Sequence, residues 1–258
     1  MNEQIIEDLS SPWSGNTVHL VTVDGNQLIK KQYRKKEGYL REVHALRTVP
    51  QTICPSLVDA YEQQQTIYTT YEPLQKDIQA ADLDEIIGSL LRQLHQHTAQ
   101  KTSVFDPGNG VTKETWLDYL ESFAPNWLQT IGTDKYESMY CSTINSVRAA
   151  YNKKQRALCL IHRDARLANV GQGRNGHFLF LDFELAIIGD PLWDVARYLI
   201  QSVHSETTFL KAYEFDHTEI EVLQAYKKLY AMSFMNYLIK NKQADTLDFK
   251  KCVNVLTN

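Results

Sequence analysis

LCLIHRDARLANVGQGRNGHFLFLDFELAIIGDPLWDVA, residues 158–196, is the stretch that decides how this chain reads. It holds His162-Arg163-Asp164, then Asn169 five residues past the aspartate, then Asp182-Phe183-Glu184. Two β-like runs, 169–172 and 177–181, are joined by a Gly-Arg-Asn-Gly turn, a hairpin signal between the Asn and the second Asp. Phosphoryl transfer needs an acceptor for a hydroxyl proton and oxygen ligands for a Mg²⁺ that bridges phosphates. An aspartate opening a loop, an asparagine closing it and an aspartate across a short hairpin supply all three. The joint spacing is far more specific than any one carboxylate.

Upstream, the first seventy-odd residues are strand-rich. Thr17–Val23, the turn Asp24-Gly25-Asn26 and 27–33 read as a hairpin. Residues 37–49 carry Leu40, Val43 and Leu46 at helical spacing and end at Pro50. Leu57–Tyr61 and 66–71 are two further β-like runs, so the order is strand, strand, helix, strand, strand. Beyond Tyr71-Glu72-Pro73-Leu74 the pattern turns helical, with candidate helices at 83–95, 112–123, 134–151 and 218–240. The expected fold is α+β: a small β-rich lobe over 1–74 and a larger helical lobe over 75–258, sharing one site.

These residues resemble the aminoglycoside phosphotransferase and choline kinase-like branch of the protein-kinase-like superfamily. The resemblance runs from the first hairpin to about Leu199. It implies a bilobal kinase-like fold, and it implies ATP and Mg²⁺ as cofactors. Asp164 falls on the family's catalytic base, and Asn169 and Asp182 on its metal ligands. Gly189-Asp190-Pro191-Leu192-Trp193-Asp194 matches a Gly-Asp-Pro-x-x-Asp element in which the last aspartate braces the catalytic-loop backbone. Asp190 itself reads either as a helix cap, with Pro at the first helical position, or as a substrate contact.

The same resemblance asks the N-terminal lobe for a strand lysine that reaches phosphates and a helix glutamate that holds it. Lys30 is the choice and Lys31 the alternative, because a one-residue slip of register swaps the faces of a strand. Glu42 is the partner. Ser14 and Gly15 stand in the place of the phosphate-covering loop, with a single glycine and no G-x-G-x-x-G. Glu72 falls in the hinge that would contact adenine. Arg166, two residues past Asp164, is placed to stabilise charge on the transferring phosphoryl group.

Two departures point away from a protein substrate. Arg163 completes an H-R-D triplet where many family members have Gly, yet only seven residues separate Asp182 from Asp190 and no Ala-Pro-Glu element follows. Glu184 replaces the Gly of D-F-G. The expected reaction is therefore transfer of a γ-phosphoryl group to a hydroxyl of a small molecule: an amino alcohol, aminoglycoside, thiamine or sugar. The alternatives are a catalytically silent nucleotide-binding module and, less favoured, a protein kinase. Asp118, Glu121, Asp190 and Glu206 hint at a cationic acceptor.

Composition fits this reading without sharpening it. The chain has 258 residues, 43% hydrophobic and 22% charged, an ordinary globular balance. A net charge of −4 gives no reason to expect nucleic acid or an anionic membrane as partner. Four scattered cysteines without a Cys-x-x-Cys pair suit a reducing compartment. The acidic start MNEQIIEDLS lacks the pattern of a signal peptide, so a cytoplasmic protein is expected.

Overall fold

The computed structural model describes residues 2–11, 15–71, 80–98, 101–153, 156–173 and 176–257. The N-terminal lobe is a five-stranded antiparallel sheet with one helix. Its strands are β1 (Glu3–Asp8), β2 (Thr17–Val23), β3 (Asn26–Gln32), β4 (Leu57–Tyr61) and β5 (Thr66–Thr70), in the order β1-β2-β3-β5-β4. Helix α1 (Lys36–Thr48) lies between β3 and β4 in the chain and buries Tyr39, Glu42, Val43, Ala45 and Leu46. The expected strand and helix order is found, with β1 added at the edge. Five of its six residues are exposed, Ile5 and Ile6 among them, so it carries none of the in-out alternation that marks a half-buried strand.

The C-terminal lobe is mostly helical. Helix α2 (Ala80–Thr98) is followed by the short strands β6 (Val104–Asp106) and β7 (Val111–Lys113), then by α3 (Trp116–Ile131) and α4 (Thr133–Lys153). The reading of 112–123 as one helix is corrected here. Val111–Lys113 pairs with β6, and the helix begins only after Thr115, whose side chain and that of Asp118 form a reciprocal capping box. Helix α3 then continues through Pro125 to bury Trp127 and Leu128.

Four short strands carry the decisive stretch: β8 (Cys159–Ile161), β9 (Val170–Gln172), β10 (Phe178–Phe180) and β11 (Ile187–Gly189). β9 and β10 form the expected hairpin, and β11 joins β8 and β6 in the four-stranded sheet β7-β6-β11-β8. A β-carbon on Gly189 would stand 2.5 Å from the Trp116 ring, so the sheet and α3 meet there only because that residue is glycine. Helices α5 (Leu192–Gln201), α6 (Glu206–Tyr213), α7 (Ile220–Lys240) and α8 (Leu247–Thr257) complete the lobe. The core is continuous through both lobes, from Val43 and Ile67 to Leu229 and Met235. Among the described residues no helix is long and apolar enough to cross a membrane.

Candidate active site

β8 ends at Ile161 and β9 starts at Val170, so residues 162–169 form a loop pinned at both ends by sheet. Its backbone is held from below. The Asp194 carboxylate accepts the His162 N–H at 2.6 Å and the Arg163 N–H at 2.8 Å. Burial works against charge on Asp194, but the hydrogen bond from His95 and the loop N–H groups hold its carboxyl below the usual range. His162 is fully buried between the rings of Phe180 and Phe183. Its Nδ1 accepts the Asp164 N–H at 3.2 Å and its Nε2 faces the Leu181 carbonyl at 3.0 Å, a pairing that fits the neutral ring. Burial lowers the imidazole pKa accordingly.

Asp164 stands at the head of that loop and Asn169 at its end, in a single 3-10 turn spanning Leu167–Asn169. The Asn169 amide donates to the Asp164 carboxylate at 2.8 Å and to the Asp164 carbonyl at 2.9 Å. Both donations come from Nδ2, not from Oδ1. Arg166 Nε lies 3.2 Å from the same carboxylate. The other carboxylate oxygen is taken by Arg197, which extends from α5 one turn beyond Asp194. Sequence reading missed Arg197. The signal available was its i+3 spacing from Asp194, which puts both residues on the face of α5 that meets the loop.

Across the cleft the two candidate lysines point to opposite faces of β3. Lys31 Nζ lies 2.7 Å from Glu42 and 2.7 Å from Asp182, joining strand, helix and C-terminal lobe. Lys30 points to the opposite face of β3, where it pairs with Glu3 at 2.6 Å and lies over the Tyr68 ring. Lys31, the alternative, faces the cleft and the expected Lys30 does not, and the reason is strand parity. The register sets Lys31 opposite Ile67 and Lys30 opposite Tyr68, so Ile29, Lys31, Ile67 and Thr69 share the cleft face. Burial by itself would drag the Lys31 ammonium down, but Glu42 and Asp182 hold it well above the ordinary lysine range. Burial likewise disfavours charge on Asp182, and Lys31 more than offsets it, leaving that carboxyl low. Glu42, buried, is pushed up by burial despite Lys31.

Asp182 and Arg163 both have positive φ, 62° and 63°, a conformation uncommon for residues with a β-carbon. Glu184 accepts a 2.5 Å hydrogen bond from Asn16, so the loop before β2 is tied to the Asp182-Phe183-Glu184 turn. Burial and the nearby Asp182 charge raise its carboxyl. Gly15 adopts φ +68° beside Asn16. Ser14 and Glu72 lie outside the described residues, as does the division near residue 74.

Asp190, expected as either a helix cap or a substrate contact, does not line the cleft. It is fully buried, bound by Arg156 at 2.7 Å and by the Tyr151 hydroxyl, and it accepts the Leu192 N–H at 2.8 Å as a cap of α5. The other acidic residues read as a hint of a cationic acceptor are also engaged elsewhere. Asp118 caps α3, Glu121 pairs with Arg148 and Glu206 with Lys227, and none of the four lines the cleft.

The cleft between the lobes is one cavity of about 1360 Å³, lined by Lys31, Glu42, Asp164, Asn169 and Asp182. Single-ligand pockets usually span roughly 300–1,000 Å³, so there is room for two molecules. A lysine bridging a helix carboxylate and a loop aspartate, facing an Asp-to-Asn loop across a cleft of that size, defines a kinase-type phosphotransferase. The chain belongs to the phosphotransferase enzyme family, whose model matches residues 5–229, well past Leu199 where the sequence resemblance weakens. It is a small-molecule phosphotransferase.

Solved structures share this fold at low identity. A thermostable mutant of aminoglycoside phosphotransferase APH(4)-Ia, in ternary complex with AMP-PNP and hygromycin B, is 16% identical with a TM-score of 0.74 over 99% of this chain and 94% of that one. Choline kinase LicA from Streptococcus pneumoniae is 17% identical, TM-score 0.67, over 98% and 94%. A choline/ethanolamine kinase family protein from Mesorhizobium loti is 15% identical, TM-score 0.65, over 97% and 85%. No curated protein matches the chain significantly.

Proposed function

We propose that this protein transfers the γ-phosphoryl group of ATP to a hydroxyl of a small molecule, with Asp164 as base. The observation that carries the proposal is the Glu42–Lys31–Asp182 chain of contacts, which closes the cleft opposite Asp164. Lys31 holds the phosphates and Glu42 fixes its position. The Asn169 Oδ1 and the Asp182 carboxylate are hard oxygen donors that suit Mg²⁺, which commonly takes one or two protein oxygens and fills its shell with water and phosphate. When bound, Mg²⁺ neutralises charge on the phosphate oxygens. Among the described residues no three His, Cys, Asp or Glu side chains could hold a metal by themselves, so the ion would depend on the nucleotide.

The acceptor hydroxyl attacks the γ-phosphorus, the bond to the β–γ bridging oxygen breaks, and the hydroxyl proton passes to Asp164. Arg166 faces the charge that builds on the transferred group. His162 and Asp194 act through the backbone: they hold the loop so that Asp164 and Asn169 keep their mutual geometry.

Thermal shift tests the nucleotide half directly. Mg-ATP is expected to stabilise the wild-type protein, and Asp182→Ala to abolish that stabilisation. Unchanged stabilisation in the variant refutes the assignment.

A further inference from the structure

We propose that the acceptor carries an oxyanion, a carboxylate or a phosphate group, beside the hydroxyl that is phosphorylated, and that Arg163 and Arg197 receive it. The inference rests on Asp164 being the base, because that fixes where the acceptor lies. Whatever gives its proton to the Asp164 carboxylate must touch the group that Arg197 touches. The acceptor therefore sits within a side chain's width of the Arg197 guanidinium.

Three features of the two arginines call for an anion. Arg197 is largely enclosed, at 14% exposure, and its Nε is buried without a hydrogen-bond partner. A buried guanidinium N–H left unmatched is costly, and an incoming oxyanion supplies an acceptor for it. Arg163 occupies the left-handed region at φ 63°, where glycine fits without strain and a side chain does not. Its backbone N–H is taken by Asp194, but its guanidinium makes only a long 3.4 Å contact, to the Leu185 carbonyl, among the described residues. Among the described residues no carboxylate lies within ion-pair distance of it, although its side chain lines the cleft. The seven residues between Asp182 and Asp190 leave no segment that would bring it a phosphate.

The charge balance of the acceptor side agrees. Arg163, Arg166 and Arg197 line it together with Asp164, and the further carboxylate, Asp248 at the start of α8, is accompanied by Lys251 at 3.6 Å. Lys31, Asp182 and Glu184 belong to the opposite, nucleotide side. An ammonium group beside Asp164 would meet an excess of positive charge. An anion would meet a planar bidentate donor, and would draw Arg197 off the carboxylate that must act as base.

The test is calorimetric titration of the Mg-ADP complex with matched acceptors. D-gluconate supplies the carboxylate, glucose phosphate the phosphate, glucose the neutral frame and glucosamine the cation. At least one anion is expected to bind tenfold or more tightly than glucose and glucosamine, with affinity falling as salt rises. Which of the two anions binds identifies the source of the negative charge. Arg163→Gln and Arg197→Gln are expected to lose that preference by tenfold or more with Mg-ADP affinity unchanged, and Arg197→Lys to restore part of it. Arg163 is half-exposed, so its variant guards against loss of fold. Equal or tighter binding of glucosamine, or no binding of either anion, overturns the inference. Asp164-dependent phosphorylation of an amine acceptor would overturn it while leaving the phosphotransferase reading intact. An anion held by the arginines without Asp164-dependent turnover would do the reverse.

Discussion

Two buried ion networks in this protein use the same chemistry to different ends. In the C-terminal lobe, Arg156 binds Asp190 and Glu219, and the Tyr151 hydroxyl donates to Asp190. Asp190 has no exposure and its lone pairs meet Arg156, Tyr151 and the Leu192 N–H. In the cleft, Lys31 binds Glu42 and Asp182, but the Asp182 side chain remains 31% exposed and faces the cavity. At Asp190 the first network is sealed and saturated, so that carboxylate can only hold the start of α5 against α4. The second keeps free oxygen lone pairs and access, so it can take a ligand. Charge and burial alone do not separate a structural ion pair from a functional one; unused valence facing a cavity does.

The largest expected effect sharpens the cleft side of this contrast. Asp164→Ala should lower kcat by roughly two to four orders of magnitude while Mg-ATP binding survives. Near-normal single-turnover rates would remove Asp164 from the chemistry. Next, Asp190→Ala should destabilise the protein by about 3–5 kcal/mol in urea denaturation, because Arg156 loses its main buried partner. The folded fraction should keep its Mg-ATP affinity. A variant of wild-type stability that no longer binds acceptor would mean the sealed network is part of the site, and the contrast would break.

Lys31→Met is expected to weaken Mg-ATP binding by about tenfold or more, the loss of a charge-assisted phosphate contact. Smaller still is a pH effect beneath the catalytic loop. Burial holds the His162 imidazole low, so the folded chain stays neutral there while the unfolded chain takes up a proton near its ordinary value of about 6.5. The stability this contributes is complete above that pH and is lost as pH falls from it toward the lower folded value. Denaturation midpoints measured from pH 7.5 down to 5 should decline, and His162→Gln should start lower and decline less steeply. Parallel slopes would assign the pH dependence to other groups. The smallest effect belongs to Lys30→Met. It removes a partly exposed pair worth about 1 kcal/mol or less and should leave nucleotide binding alone.

Much of the site was legible because catalytic loops encode their geometry in short spacings. Asp164, Asn169 and Asp182 lie within one loop and hairpin, and the structure brings them to one cavity. Glu42 was legible for a similar reason, since it sits mid-helix on the face marked by Val43 and Leu46. What escaped notice depended on parity and on distance along the chain. Lys30 and Lys31 are chemically identical, and only the pairing of β3 with β5 shows which faces the cleft. Arg197 meets Asp164 across thirty-three residues, a contact with no local trace beyond its place on α5. Strand β1 was hidden because an exposed edge strand needs no alternation.

The sequence by itself determined the class of chemistry and the order of elements, because proton acceptor, metal ligands and turn residues must recur at fixed short separations for a loop to present them together. Packing alone decided which charges line the cleft. The acidic residues that suggested a cationic acceptor cap a helix or pair with Arg148, Arg156 and Lys227, and the side that holds Asp164 is lined by arginines instead. The net charge of a chain is a sum over its residues. The potential in a cleft depends on which of those residues already have partners, and partners are assigned by packing.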